Sequence, residues 1–112
     1  MGLFTNHDKA IQDLLTNDEP IRAQVKGHLS YDDLTKNATM VVTNKRIILY
    51  SNKTFGSTVK QIPLSKVSSI EYEKGLLKGK QITVKTSGED LYIKDIKGNV
   101  NDVIGYVNEA IM

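Results

Sequence analysis

The chain has no cysteine, no tryptophan, two prolines and two histidines in 112 residues. Without cysteine it has no disulfide, no thiolate nucleophile, no iron–sulfur cluster and no cysteine-ligated zinc. His7 and His28 are not an i, i+4 pair, so the helical zinc pattern is missing as well. No long apolar run is present, and Met1-Gly2-Leu3-Phe4 lacks a basic leader region, which argues against secretion and against a membrane span. Asn6 stands where a myristoylation signal needs serine or threonine. The expected location is the cytoplasm, with peripheral attachment at the inner membrane face as the variant. No cofactor motif is found: Gly75 to Gly79 has three intervening residues where a P-loop has four, and Gln81 follows Lys80.

What is present suits one globular domain. Hydrophobic residues make up 39% and charged residues 25%, a balance that can fill a core. A chain of this length buries roughly 65% of its unfolded surface, enough for a core without metal or disulfide support.

Charge is uneven along the chain. Residues 1–35 carry three basic and six acidic side chains, residues 36–85 ten basic and two acidic, and residues 86–112 two basic and five acidic. The basic middle is a candidate field for an anionic partner. Its plainer explanation is lysine on solvent faces and strand edges, where it discourages aggregation.

Periodicity divides the chain. Thr5 to Thr16 predicts a short helix with Ile11, Leu14 and Leu15 on one face and Thr5 or Asn6 as cap. Asn17-Asp18-Glu19-Pro20 ends it. Seven strands follow, at residues 21–29, 38–43, 46–50, 57–62, 67–73, 80–86 and 91–96. Asn44-Lys45 reads as a hairpin turn, asparagine being a residue that tolerates positive φ. Residues 74–79 read as a glycine-bracketed turn. Val100, Val103, Ile104, Val107 and Ile111 then form the stripe of a final helix, with Asn99 as N-cap and Asp102 at its positive end. Seven antiparallel strands in so short a chain bend into two near-orthogonal layers or a partly open barrel, and the last helix suits the open end. The expected division is a helical extension over 1–17 and a domain over 18–112.

That element order resembles the pleckstrin-homology (PH) layout. Val42-Thr43-Asn44-Lys45-Arg46-Ile47-Ile48, Ile62 to Tyr72, Lys74 to Ile82 and Thr86-Ser87-Gly88 resemble the bacterial YokE-like PH domains. The Met1-Gly2-Leu3-Phe4 start with a short helix is similar to other bacterial PH-like proteins, some of which form ring oligomers. The resemblance implies a mainly β, PH-like bent barrel of seven strands, capped by the C-terminal helix. It also implies a platform for lipid head groups, peptides or proteins. Eukaryotic lipid-binding members carry a basic motif across the first strand pair. Here Lys26 and Lys36 flank Asp32 and Asp33, and the Lys-x-Arg ending is absent, which disfavours a phosphoinositide.

Catalysis finds little support. His28, Ser30, Asp32 and Asp33 are close in sequence, but His28 and Ser30 lie about 7 Å apart along a strand, too far for a base to hold the hydroxyl. Nucleic acid is disfavoured by only seven aromatic residues, although Tyr50 and Tyr72 are stacking candidates. The expectation is a non-enzymatic binding or assembly module, whose partner is a protein or a second copy of the chain, or alternatively an anionic membrane surface.

Two features carry these alternatives. Leu76 and Leu77 sit at a turn among Lys74, Lys78 and Lys80, a tip suited to an anionic bilayer. The other account of the tip packs one leucine under the N-terminal helix and the other against the barrel. The second feature is Ile47-Ile48-Leu49-Tyr50, apolar on both faces. Ile48 and Tyr50, with Leu3 and Phe4, are the self-association candidates. The competing account covers Ile48 and Tyr50 with Ile11, Leu14 and Leu15 of the same chain.

Overall fold

The computed structural model describes residues 6–29, 36–52, 57–76 and 79–112. Helix α1 (Asn6–Leu14) is followed by β1 (Ile21–Leu29), β2 (Lys36–Thr43), β3 (Arg46–Asn52) and β4 (Ser57–Pro63). A 3-10 turn (Leu64–Lys66) leads to β5 (Val67–Gly75), β6 (Gly79–Thr86), β7 (Asp90–Gly98) and helix α2 (Val100–Ile111). The strands form one antiparallel sheet in the order β4-β3-β2-β1-β7-β6-β5, curled into a half-barrel.

Alternation decides which side chains fill it. Val25, Met40, Val42, Ile47, Leu49, Ile82, Val84 and Ile93 point inward and are buried. The stripe of α2 closes this core with Val100, Val103 and Val107, the last two fully buried and each stabilising by about 2 kcal/mol. Asn99 caps α2 as expected, its Oδ1 accepting the Asp102 N–H at 3.3 Å.

The turn at Asn44-Lys45 closes by different means than expected. Among the described residues Asp95 alone of the non-glycine residues has positive φ, so Asn44 is not left-handed. Instead the Thr43 hydroxyl accepts the Lys45 and Arg46 N–H groups, both at 3.1 Å. The β5–β6 hairpin also departs from expectation. Lys74 and Gly75 stay in the ladder, opposite Lys80 and Gly79, so the connection is tighter than a six-residue turn.

β7 extends to Gly98, past the expected end at Ile96, because it carries a bulge. Two steps along β1, Lys26 to His28, match three along β7, Lys97 to Lys94. Asp95 absorbs the extra residue at φ 52°. Aspartate tolerates this region better than most non-glycine residues, so Asp95→Ala is expected to destabilise the fold by about 1 kcal/mol. Urea unfolding of the two proteins measures this difference.

Candidate functional site

The β5–β6 hairpin presents the most exposed apolar group among the described residues. Leu76 is fully exposed at its end. Tyr72 pairs with Ile82, and Lys74 with Lys80 two residues nearer the tip, so all four share the inward-facing side of the strands. Ile82 is within the core, whereas Tyr72 is 37% exposed and Lys74 lies on the surface. Aromatic ring, lysine pair and leucine thus succeed one another toward the tip. Neither Lys74 nor Lys80 joins the ion pairs among the described residues, which involve Lys45, Arg46, Lys60 and Lys85. Leu77 and Lys78 lie outside the described residues, as do Leu3 and Phe4. Leu76 does not pack under α1, so that account of the tip fails for this residue.

The apolar strip on β3 finds its cover within the chain. Ile48 and Tyr50 are 0% and 8% exposed and cluster with Val41 and Ile11. Ala10, Leu14, Leu15 and Ile21 pack around them. Tyr50 is accordingly not presented for stacking on a base. With α1 in place, Ile48 and Tyr50 do not face solvent.

What holds α1 there is a buried ion pair that the sequence pattern did not single out. Glu19, 3% exposed, accepts from Arg46 through both carboxylate oxygens, at 2.7 Å from Nε and 2.8 Å from Nη2. The Thr43 hydroxyl donates to Oε2 at 2.7 Å and the Thr16 N–H to Oε1 at 3.2 Å. Arg46 Nη2 also donates to the Leu14 carbonyl at 2.8 Å, at the carboxyl end of α1, and Nη1 donates to Gln61 Oε1. The Arg46 guanidinium holds the Glu19 carboxyl down to about 2, against the opposing effect of burial; the Thr43 and Thr16 hydrogen bonds add to the lowering. Arg46 is raised in turn. Asp18, exposed, is lowered by its hydrogen bond to Lys45. Among the described residues no buried side-chain polar atom lacks a partner, so this cluster reads as a latch.

No group of three or more His, Asp or Glu side chains gathers to hold a metal among the described residues. No helix there is long and apolar enough to cross a membrane.

Residues 15–109 match the family described as the bacterial PH domain. The chain belongs to that family. A PH-like fold is a platform for binding, and no enzymatic family is indicated. Two solved structures share the architecture of this bacterial PH domain. One is the C-terminal domain of an unknown protein from Leishmania infantum, 16% identical with a TM-score of 0.66, the match covering 90% of this chain and 88% of that one. The other is a DUF1696 family protein with a pleckstrin-homology domain from Shewanella loihica PV-4, 15% identical with a TM-score of 0.52, covering 95% and 90%. At these identities the likeness concerns fold alone. No curated protein matches the sequence.

Proposed function

We propose that this bacterial PH domain is a peripheral docking module that meets an anionic bilayer, at the cytoplasmic face of the membrane, through its β5–β6 hairpin. The supporting observation is the placement of fully exposed Leu76 beyond the opposed lysines Lys74 and Lys80. A leucine entering the acyl boundary gains about 2 kcal/mol, and each lysine near an anionic surface adds about 1 kcal/mol. Tyr72 suits the headgroup level, with an apolar ring and a polar hydroxyl. Assignment to the YokE-like branch of the family is part of this proposal, on the Lys74 to Ile82 stretch that resembles it.

Self-association is the second reading, and the burial of Ile48 and Tyr50 under α1 works against it. It needs α1 to leave its seat, or needs Leu3 and Phe4 to act alone. The two readings separate on one variant. Leu76→Ser is expected to weaken binding to anionic vesicles by 10-fold or more, roughly the value of the buried leucine. It is expected to leave the mass in light scattering unchanged. Unchanged vesicle binding in Leu76→Ser would remove the hairpin from the account.

A further inference from the structure

We propose that the convex face of β1 and β7 is a second contact with the same anionic bilayer, so that the domain docks at two points. The proposal rests on the hairpin reading above. Lys26 on β1 lies directly opposite Lys97 on β7, and His28 opposite Lys94. Lys94 in turn faces Gln81 on β6, two residues from Gly79 at the hairpin end. The neighbouring residues Val25, Ile93 and Ile96 belong to the core, so this set looks outward. All three lysines are exposed, and none enters an ion pair among the described residues.

The β7 bulge makes this face. Residues three apart on a regular strand point to opposite sides of a sheet. The extra residue at Asp95 brings Lys94 and Lys97 to the same side. The Asp95 carboxylate leans toward β6, with Oδ1 3.5 Å from where a Cβ would stand on Gly79. Like charges directly opposite one another cost stability, so packing gives no reason for the Lys26–Lys97 pair. An anionic partner does.

Net positive charge and continuity select the bilayer as that partner: the three lysines outnumber the exposed carboxylates beside them, Asp95 in the bulge and Glu73 opposite Gln81. Lys94 is one strand spacing from Gln81, and Gln81 two residues from Gly79, which places the face about 10 Å from the hairpin end. The lysine set brings no apolar anchor of its own, so it acts through charge while the hairpin supplies insertion. A membrane met by Leu76 passes beside these lysines.

The experiment compares the full chain with two triple variants on phosphatidylcholine vesicles with and without phosphatidylglycerol, over a salt series. Lys26→Gln/Lys94→Gln/Lys97→Gln removes the face. Lys9→Gln/Lys45→Gln/Lys66→Gln removes the same charge from exposed positions on α1, the β2–β3 turn and the 3-10 turn. The face variant is expected to bind anionic vesicles on the order of 100-fold more weakly, with a shallower salt dependence. It is expected to melt no lower than the parent, since it relieves a like-charge pair. The control variant is expected to lose much less. Equal loss in both triples would reduce the effect to net charge and overturn the proposal. Parental binding by the face variant, with loss in Leu76→Ser, would overturn the face and leave the hairpin. Loss in the face variant with parental binding in Leu76→Ser would overturn the hairpin and two-point docking with it, leaving the face as a single electrostatic contact. Absence of anionic binding by the parent would overturn both.

Discussion

Arg46→Met is expected to destabilise the domain by about 3–5 kcal/mol, lowering its melting temperature by on the order of 15 °C. The cause is what the substitution leaves behind. The Glu19 side chain is 1% exposed and keeps only the Thr43 and Thr16 donors once the guanidinium is gone. The Leu14 carbonyl loses its donor as well, so the end of α1 comes loose above Val41, Ile48 and Tyr50. Removing both charges together, as Glu19→Leu/Arg46→Met, is expected to recover much of the loss, because no unpaired ion remains. A double-mutant cycle by thermal and urea unfolding measures the coupling; additive effects would contradict the latch.

The same pair fixes an acid limb. Glu19 has a folded pKa of about 2 against an ordinary 4.5, so its contribution is fully present above 4.5. It is lost as pH falls through that range toward 2 and below, and amounts to roughly 3 kcal/mol. Stability of the parent is expected to fall between pH 5 and 2 more steeply than that of Glu19→Gln, which has no charge to lose there.

Gly27→Ala is expected to cost at least about 3 kcal/mol, a large effect for one methyl group. A Cβ on Gly27 stands 2.4 Å from the Lys94 carbonyl oxygen and 2.8 Å from Ile93 Cγ1. The first of these is backbone in the β7 bulge and cannot swing aside. Relief requires β1 and β7 to part, and this seam joins the two halves of the sheet. Gly105 gives the opposite sign: a Cβ there meets nothing within 4 Å, on an exposed turn of α2. Gly105→Ala is expected to stabilise by about 0.8 kcal/mol through helix propensity. Parallel melts of both variants check the pair.

Periodicity was informative where burial alone selects the residue. The strands alternate, the α2 stripe is regular, and Asn99 caps as its position suggests, so element order and core were legible. Glu19 was not, because it sits in a proline-bounded linker that resembles any polar break. Its partner Arg46 follows a turn, 27 positions away. The signal that could have found the pair is the arginine opening an otherwise apolar strand. The Lys26, Lys94 and Lys97 face was hidden more thoroughly. These residues belong to the two segments in which acidic side chains outnumber basic ones, and only strand pairing gathers them. The bulge that aligns Lys94 with Lys97 leaves no compositional mark beyond an aspartate. Leu76 and Leu77 stand out between glycines in the sequence, which left their packing open, and the exposure of Leu76 is what the structure adds.

Docking on an anionic surface is tested most directly by co-sedimentation of the unmodified chain with phosphatidylcholine vesicles, with and without phosphatidylglycerol, at low and physiological salt. Binding to the anionic vesicles alone is expected, weakened but not abolished at physiological salt, since insertion of Leu76 survives screening. Equal recovery of the protein in the supernatant of both vesicle types at low salt would contradict it and return the β5–β6 hairpin to the role of a solvated turn.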